Sequence, residues 1–175
     1  VLDCKTQTLT LVKEVQNPAG ATFSGDFLGD SDWTLTAKGA RDDIAGISGS
    51  EEVTAVPVSA GELTLGEAPV DADNPFASAY AASDWVCESE DGTELPVKDG
   101  KVTIVQDQNA VCTVTNATAQ LTVLKYIAGK GLVPKDFTVT ASATEEQGWP
   151  LISGAAGSNA MSKSNTTLLQ PGTYQ

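Results

Sequence analysis

The stretch Leu9-Thr10-Leu11-Val12-Lys13-Glu14-Val15 decides the fold. Its odd-numbered positions share one face and its even-numbered positions the other, which is the period of a strand buried on one side. Three further segments alternate in the same way: Asp32-Trp33-Thr34-Leu35-Thr36-Ala37, Leu63-Thr64-Leu65 and Lys101-Val102-Thr103-Ile104-Val105. Turn-forming clusters punctuate the gaps, among them Gly29-Asp30-Ser31-Asp32, Ala60-Gly61, Glu90-Asp91-Gly92 and Asp99-Gly100. Thr supplies 20 of the 175 residues, and its branched, hydroxylated side chain suits a half-exposed pleat. Short strands at this spacing predict an all-β sandwich, with strands over 8–16, 32–39, 52–58, 62–67, 79–89, 100–106 and 110–117. The Pro/Asp/Ala-rich run 68–78 reads as loop, and Ala77 to Ala82 reads alternatively as a short helix.

Composition narrows the function. The chain has 10 basic and 23 acidic residues, a formal net charge of -13, which argues against nucleic acid and anionic membrane surfaces as partners. It has no His, so imidazole general bases, Ser-His-Asp relays and His-ligated zinc are excluded. No cofactor is expected. No run of about 20 apolar residues suggests membrane insertion. The opening Val1-Leu2-Asp3-Cys4 is no signal peptide, and residues 1–7 read as the end of a preceding segment.

A repeat organises the rest. Leu9-Thr10-Leu11-Val12-Lys13 returns as Leu121-Thr122-Val123-Leu124-Lys125, and Asp32-Trp33-Thr34-Leu35-Thr36-Ala37 as Asp136-Phe137-Thr138-Val139-Thr140-Ala141. Gly61-Glu62-Leu63 has a counterpart in Gly172-Thr173-Tyr174, in the same order. A period of this size predicts tandem domains rather than a solenoid of small units. The expected division is a complete sandwich over 8–118 and the N-terminal half of a second over 119–175. Half a core with open edges is unstable alone, so the expectation is that the chain continues or that another chain completes the sheet.

Cys87 ends one predicted strand and Cys112 begins another. The two could form a disulfide or stand as buried thiols. Cys4 is left over, free or paired elsewhere. Three Cys at these spacings without His form no zinc site. Asp26, Asp30, Asp71 and Asp73 are possible calcium ligands, though they match no EF-hand spacing.

Lys13 lies in phase with Leu9 and Leu11, so if that face is the core, the core contains a lysine. Lys125 repeats the phase beside Leu121 and Val123. A buried ammonium is costly unless paired, but a neutral amine can attack an Asn carboxamide and release ammonia. That chemistry needs an apolar site, which favours the neutral amine, and a carboxyl group to polarise the amide and carry protons. Asn116, at the end of Val111-Cys112-Thr113-Val114-Thr115-Asn116, and Glu67, in phase with Leu63 and Leu65, are the candidates. The alternatives are a lysine snorkelling from a strand edge, an Asn capping a turn and a solvated carboxylate.

The pieces Leu9 to Lys13, Gly61 to Glu67, Trp85-Val86-Cys87 and Cys112 to Asn116 resemble the prealbumin-like (Ig-like), CnaB-type or SpaA-like repeat domains of Gram-positive surface proteins and pilins. The resemblance implies a prealbumin-like sandwich in which Lys13 joins Asn116 with Glu67 as catalyst, and in which Lys125 is the lysine of a second copy whose partner is absent. The cysteine pair resembles an actinobacterial subset of these repeats. The segment after Glu67 departs from the family pattern, being the acidic Asp71–Asp73 loop rather than a short Pro-Gly-Tyr turn. There is no sorting motif at Leu95-Pro96-Val97-Lys98, and Val133-Pro134-Lys135-Asp136 only faintly resembles a pilin polymerisation motif.

Three functions compete. The first is a structural stalk or spacer of a bacterial cell-surface adhesin or pilus-like protein, placed outside the cell and contacting neighbouring domains of its own parent chain. The second is a ligand-binding module for host surface glycan or matrix protein, using loops 17–31, 40–51 and 68–78, with Trp33, Trp85 and Trp149 as stacking candidates that read more simply as core. The third, an enzyme with paired carboxylates, is disfavoured, because Glu51 and Glu52, like Glu145 and Glu146, are adjacent and point apart on a strand.

Overall fold

In the computed structural model, β1 (Gln7–Gln16) buries Gln7, Leu9, Leu11 and Lys13 and turns Glu14 to solvent. The residues described are 6–19, 27–123, 125–133, 136–141, 152–155 and 166–173. Cys4, Asp26, Lys135, Glu145, Glu146 and Trp149 lie outside them. The chain divides into two units: residues 1–16, 28–77 and 82–116, and residues 17–27, 78–81 and 117–175.

The first unit is all-β, as the alternation predicts. One sheet runs β4-β1-β11-β7-β8, using β4 (Val56–Val58), β11 (Asn109–Ala117), β7 (Val86–Ser89) and β8 (Glu94–Leu95), with β6 (Ala81–Ala82) pairing β11 off that path. The other runs β3-β2-β5-β10-β9, using β3 (Asp43–Ile47), β2 (Trp33–Lys38), β5 (Gly61–Pro69), β10 (Lys101–Ile104) and β9 (Val97–Lys98). The inward residues of both sheets form one core around Leu9, Leu11, Leu35, Leu63, Val102 and Val114. Gly39 lies against this core where a Cβ would come 2.6 Å from Leu63 Cδ2.

Neighbouring strands β1 and β11 run parallel. The Thr8 hydroxyl donates to Asn109 Oδ1 at 2.9 Å, and the Thr115 hydroxyl donates to Glu14 Oε2 at 3.3 Å. Both contacts span 101 positions, so the register is constant along the pair.

The structure corrects several expected boundaries. Asp43–Ile47 is an edge strand inside the expected loop 40–51; only Ile44 is buried, so its pattern carries no alternation. The expected strand 52–58 shrinks to Val56–Val58, because 49–55 turns with Ala55 at φ +50°. The expected strand 79–89 breaks into a 3-10 turn at Ala77–Ala79, then β6 and β7. The two-residue strands β8 and β9 are too short to leave a periodic signal.

In the second unit, β12 (Ala119–Thr122) pairs antiparallel with β15 (Thr166–Leu169), and β13 (Thr138–Ala141) with β14 (Ile152–Ala155). Leu121 and Val123 pack against buried Ala141 and Leu169. The Tyr80 hydroxyl donates to Asn17 Oδ1 at 2.7 Å.

Cys87 and Cys112 are directly opposed across β7 and β11, with Cα atoms 4.0 Å apart, and form a fully buried disulfide. It closes a loop of sequence separation 25, worth about 3–4 kcal/mol on the chain-entropy estimate. Replacing both cysteines by Ala is expected to lower unfolding free energy by an amount of that order, read from urea titration of the two proteins under oxidising conditions.

Candidate crosslinking site

The three candidate side chains come from three strands, β1, β5 and β11. Lys13 projects from β1, with its side chain 0 % exposed. Its Nζ donates to Glu67 Oε2 at 2.5 Å, and Glu67, 13 % exposed, projects from β5 in the facing sheet. The pair therefore spans the core from one sheet to the other. Trp33, buried at the start of β2, places its ring centroid 5.0 Å from Lys13 Nζ. The β2–β5 register, Trp33↔Pro69 and Leu35↔Glu67, sets the aromatic and the carboxylate on adjacent strands.

Asn116 comes from β11, beside β1, and is 1 % exposed. The constant spacing of 101 brings Lys13 level with Val114, and Asn116 is the next inward position along the strand. Inward neighbours on adjacent strands are about 4.8 Å apart across the sheet and about 6.6 Å apart along it, within reach of a four-carbon lysine stem. Asn116 Oδ1 is buried with no hydrogen-bond partner among the described residues. A buried acceptor without a donor is a cost the fold retains only with some compensation.

Electrostatics favour a reactive amine. Burial pushes the Lys13 amine below the ordinary lysine value, against the opposing hydrogen bond and charge of Glu67 and the charge of Asp30. Moving one proton across the Lys13–Glu67 hydrogen bond would leave an amine and a carboxylic acid, with no net charge in the core.

Other residues fare differently. Lys125 lies beyond the end of β12, exposed, with Nζ 4.8 Å from the Phe137 ring centroid. Like Lys13 it has an aromatic neighbour, but it is exposed and pairs with no carboxylate among the described residues. Glu51 and Glu52 sit exposed in a turn rather than on a strand. Among the described residues no cluster of His, Cys, Asp or Glu could hold a metal ion, and no helix is long and apolar enough to cross a membrane. The sequence offers Trp33 as core or as a stacking residue; its place over the amine depends on the β2–β5 register, which no local pattern reveals.

Residues 4–114 match the family model of the SpaA-type prealbumin-like fold domain, and the chain belongs to that family. Neither curated proteins nor solved structures gave a match.

The ion pair can be tested with the amide removed. In an Asn116→Ala background, Glu67→Ala leaves an unpaired buried ammonium and is expected to cost about 3–5 kcal/mol, whereas Lys13→Met with Glu67→Leu is expected to be neutral or stabilising. The sign of the pH dependence follows from the lowered lysine pKa. The unfolded chain binds the Lys13 proton more readily than the fold does, so the penalty is full below the lowered folded value and fades as pH rises toward the ordinary 10.5. Urea titrations at neutral and at alkaline pH should show the Glu67→Ala deficit shrinking with pH.

Proposed function

We propose that this prealbumin-like domain is a structural stalk or spacer module of a bacterial cell-surface adhesin or pilus-like protein, locked by one covalent bond between Lys13 and Asn116. The observation that carries the reading is a buried amine 2.5 Å from a carboxyl, on the strand next to the one that holds a buried amide oxygen with no donor among the described residues. Family membership supports it, as does a buried disulfide, which suits an exported chain.

The proposed chemistry balances without a cofactor. Glu67 takes a proton from the Lys13 ammonium. The neutral amine attacks Asn116 Cγ while the new carboxylic acid donates to Oδ1, which has no donor among the described residues. Collapse of the tetrahedral adduct expels the amide nitrogen. Glu67 relays the proton lost by the attacking nitrogen to this leaving group, and ammonia departs. One C–N bond breaks and one forms. Proximity fixed by the fold replaces the encounter that free reactants would need. The reaction occurs once per molecule and produces no turnover.

The bond would remove the charge from the core, since an amide N–H replaces an ammonium.

Intact mass after reduction tests the proposal. One bond subtracts about 17 Da, the mass of ammonia. The wild-type chain is expected to show the deficit, and Lys13→Ala, Asn116→Ala and Glu67→Ala are expected to show none. An undiminished wild-type mass in folded protein would reject the bond. A deficit retained in Glu67→Ala would reject only the role of Glu67. Acidification should slow bond formation, followed by quenched mass spectra during refolding.

A further inference from the structure

A second feature of the first unit has no part in the crosslink. A cavity of about 390 Å³ opens between the segment entering β7 and the turn that joins β9 to β10. Its walls include Ser83, Asp84 and Trp85 on one side and Lys98, Asp99 and Gly100 on the other. The volume lies within the ~300–1,000 Å³ typical of small-ligand sites.

Trp85 has two roles in this arrangement. It packs against the core and also lines the cavity while only partly buried. The rim is charged and exposed at Asp84, Lys98 and Asp99. Among the described residues, neither the Asp84 carboxylate nor the Lys98 ammonium makes a hydrogen bond or ion pair.

Both walls are fixed by backbone bonds. Ser83 N–H donates to Thr115 C=O at 2.8 Å, and Thr115 N–H donates to Ser83 Oγ at 3.1 Å. Leu65 N–H donates to Gly100 C=O at 2.7 Å. Asp99 and Gly100, at φ +51° and +70°, form the two-residue turn between paired Lys98 and Lys101, a conformation suited to a tight hairpin. The site therefore needs little ordering on binding.

An aromatic wall beneath a rim of mixed donors and acceptors matches a sugar ring. The C–H face of a pyranose is apolar and stacks on an indole, while its hydroxyls both donate and accept. Carboxylates accept from hydroxyls, and the lysine donates to them. Two carboxylates against one ammonium, on a chain of net charge -13, select against acidic sugars and phosphates. The two-residue β9 offers too short an edge for an added peptide strand.

We propose that this cavity is a carbohydrate subsite holding one neutral pyranose, stacked on Trp85 and hydrogen-bonded by Asp84, Lys98 and Asp99. The site is independent of the crosslink and lies outside the loops 17–31, 40–51 and 68–78 that the sequence offers as binding loops. It extends the domain's role from spacing to contact with glycan.

The test is NMR titration of the isotopically labelled full chain with the methyl glycosides of glucose, galactose and N-acetylglucosamine through the millimolar range. At least one is expected to give saturable shifts at the amides of 83–85 and 97–100. Trp85→Ala should abolish them. Because Trp85 also packs on the core, the exposed variants Asp84→Asn and Asp99→Asn provide a second reading, and each should weaken binding about tenfold. The subsite is overturned if none of the three glycosides gives saturable shifts at those amides, or if both Asn variants bind as the wild type does. Measurement on Lys13→Ala, which cannot crosslink, is expected to leave the sugar shifts unchanged.

Discussion

The rest of the domain is arranged around the lysine at its centre. An ammonium inside an apolar core costs several kcal/mol unless it is paired, and pairing one across two sheets fixes their relation. Lys13 reaches Glu67 only if β1 and β5 face each other in the observed register, with Trp33 beside them on β2. A slip of one residue in either strand would turn the lysine or the carboxylate to solvent and strand its partner. The pair therefore penalises misregistered sheets more sharply than the surrounding Leu and Val residues, which tolerate exchange among themselves.

β11 is the second point on which the structure turns. It lies between β1 and β7, so its inward residues meet both neighbours. Cys112 ties it to β7, and four residues on Asn116 presents an amide beside the strand that carries Lys13. β8 joins the sheet through β7, which in turn is held by β11 and the disulfide. The covalent tie and the candidate one thus bracket β11 from opposite sides, and neither substitutes for the other.

How much of this was legible depended on whether the signal was local. Strong alternation at 9–15, 33–37, 63–65 and 101–104 announces strands whose inward residues form the core, and all of them are found. The phase of Lys13 with Leu9 and Leu11 put the lysine on their face, and the structure buries it there rather than letting it snorkel from a strand edge. The edge strand at Asp43–Ile47 was missed because an edge with one buried residue carries no pattern. Trp85 was offered as a stacking residue, but the wall opposite it was not found, for a different reason. The two walls are separated by about a dozen residues, and only the turn at Asp99-Gly100, readable as a turn, brings Lys98 and Asp99 opposite Asp84. The phase of Lys125 with Leu121 and Val123 does not bury it, since β12 ends at Thr122 and Lys125 is exposed beyond it.

The parallel pairing of β1 with β11 gives the proposed bond its mechanical meaning. Tension entering at the start of β1 and leaving at the end of β11 acts along both strands and shears them past each other, loading their hydrogen bonds together. A bond from Lys13 to Asn116 would lie close to the exit end of both strands. Force would then run along 7–13, cross one amide and leave through 116, by covalent bonds alone. Residues 14–115, which hold most of the core, the disulfide and the Trp85 cavity, would carry none of it. A sugar site in that unloaded region would keep its geometry while the chain is under tension. On this arrangement the proposed bond and the proposed sugar site would share one small sandwich without competing for its stability.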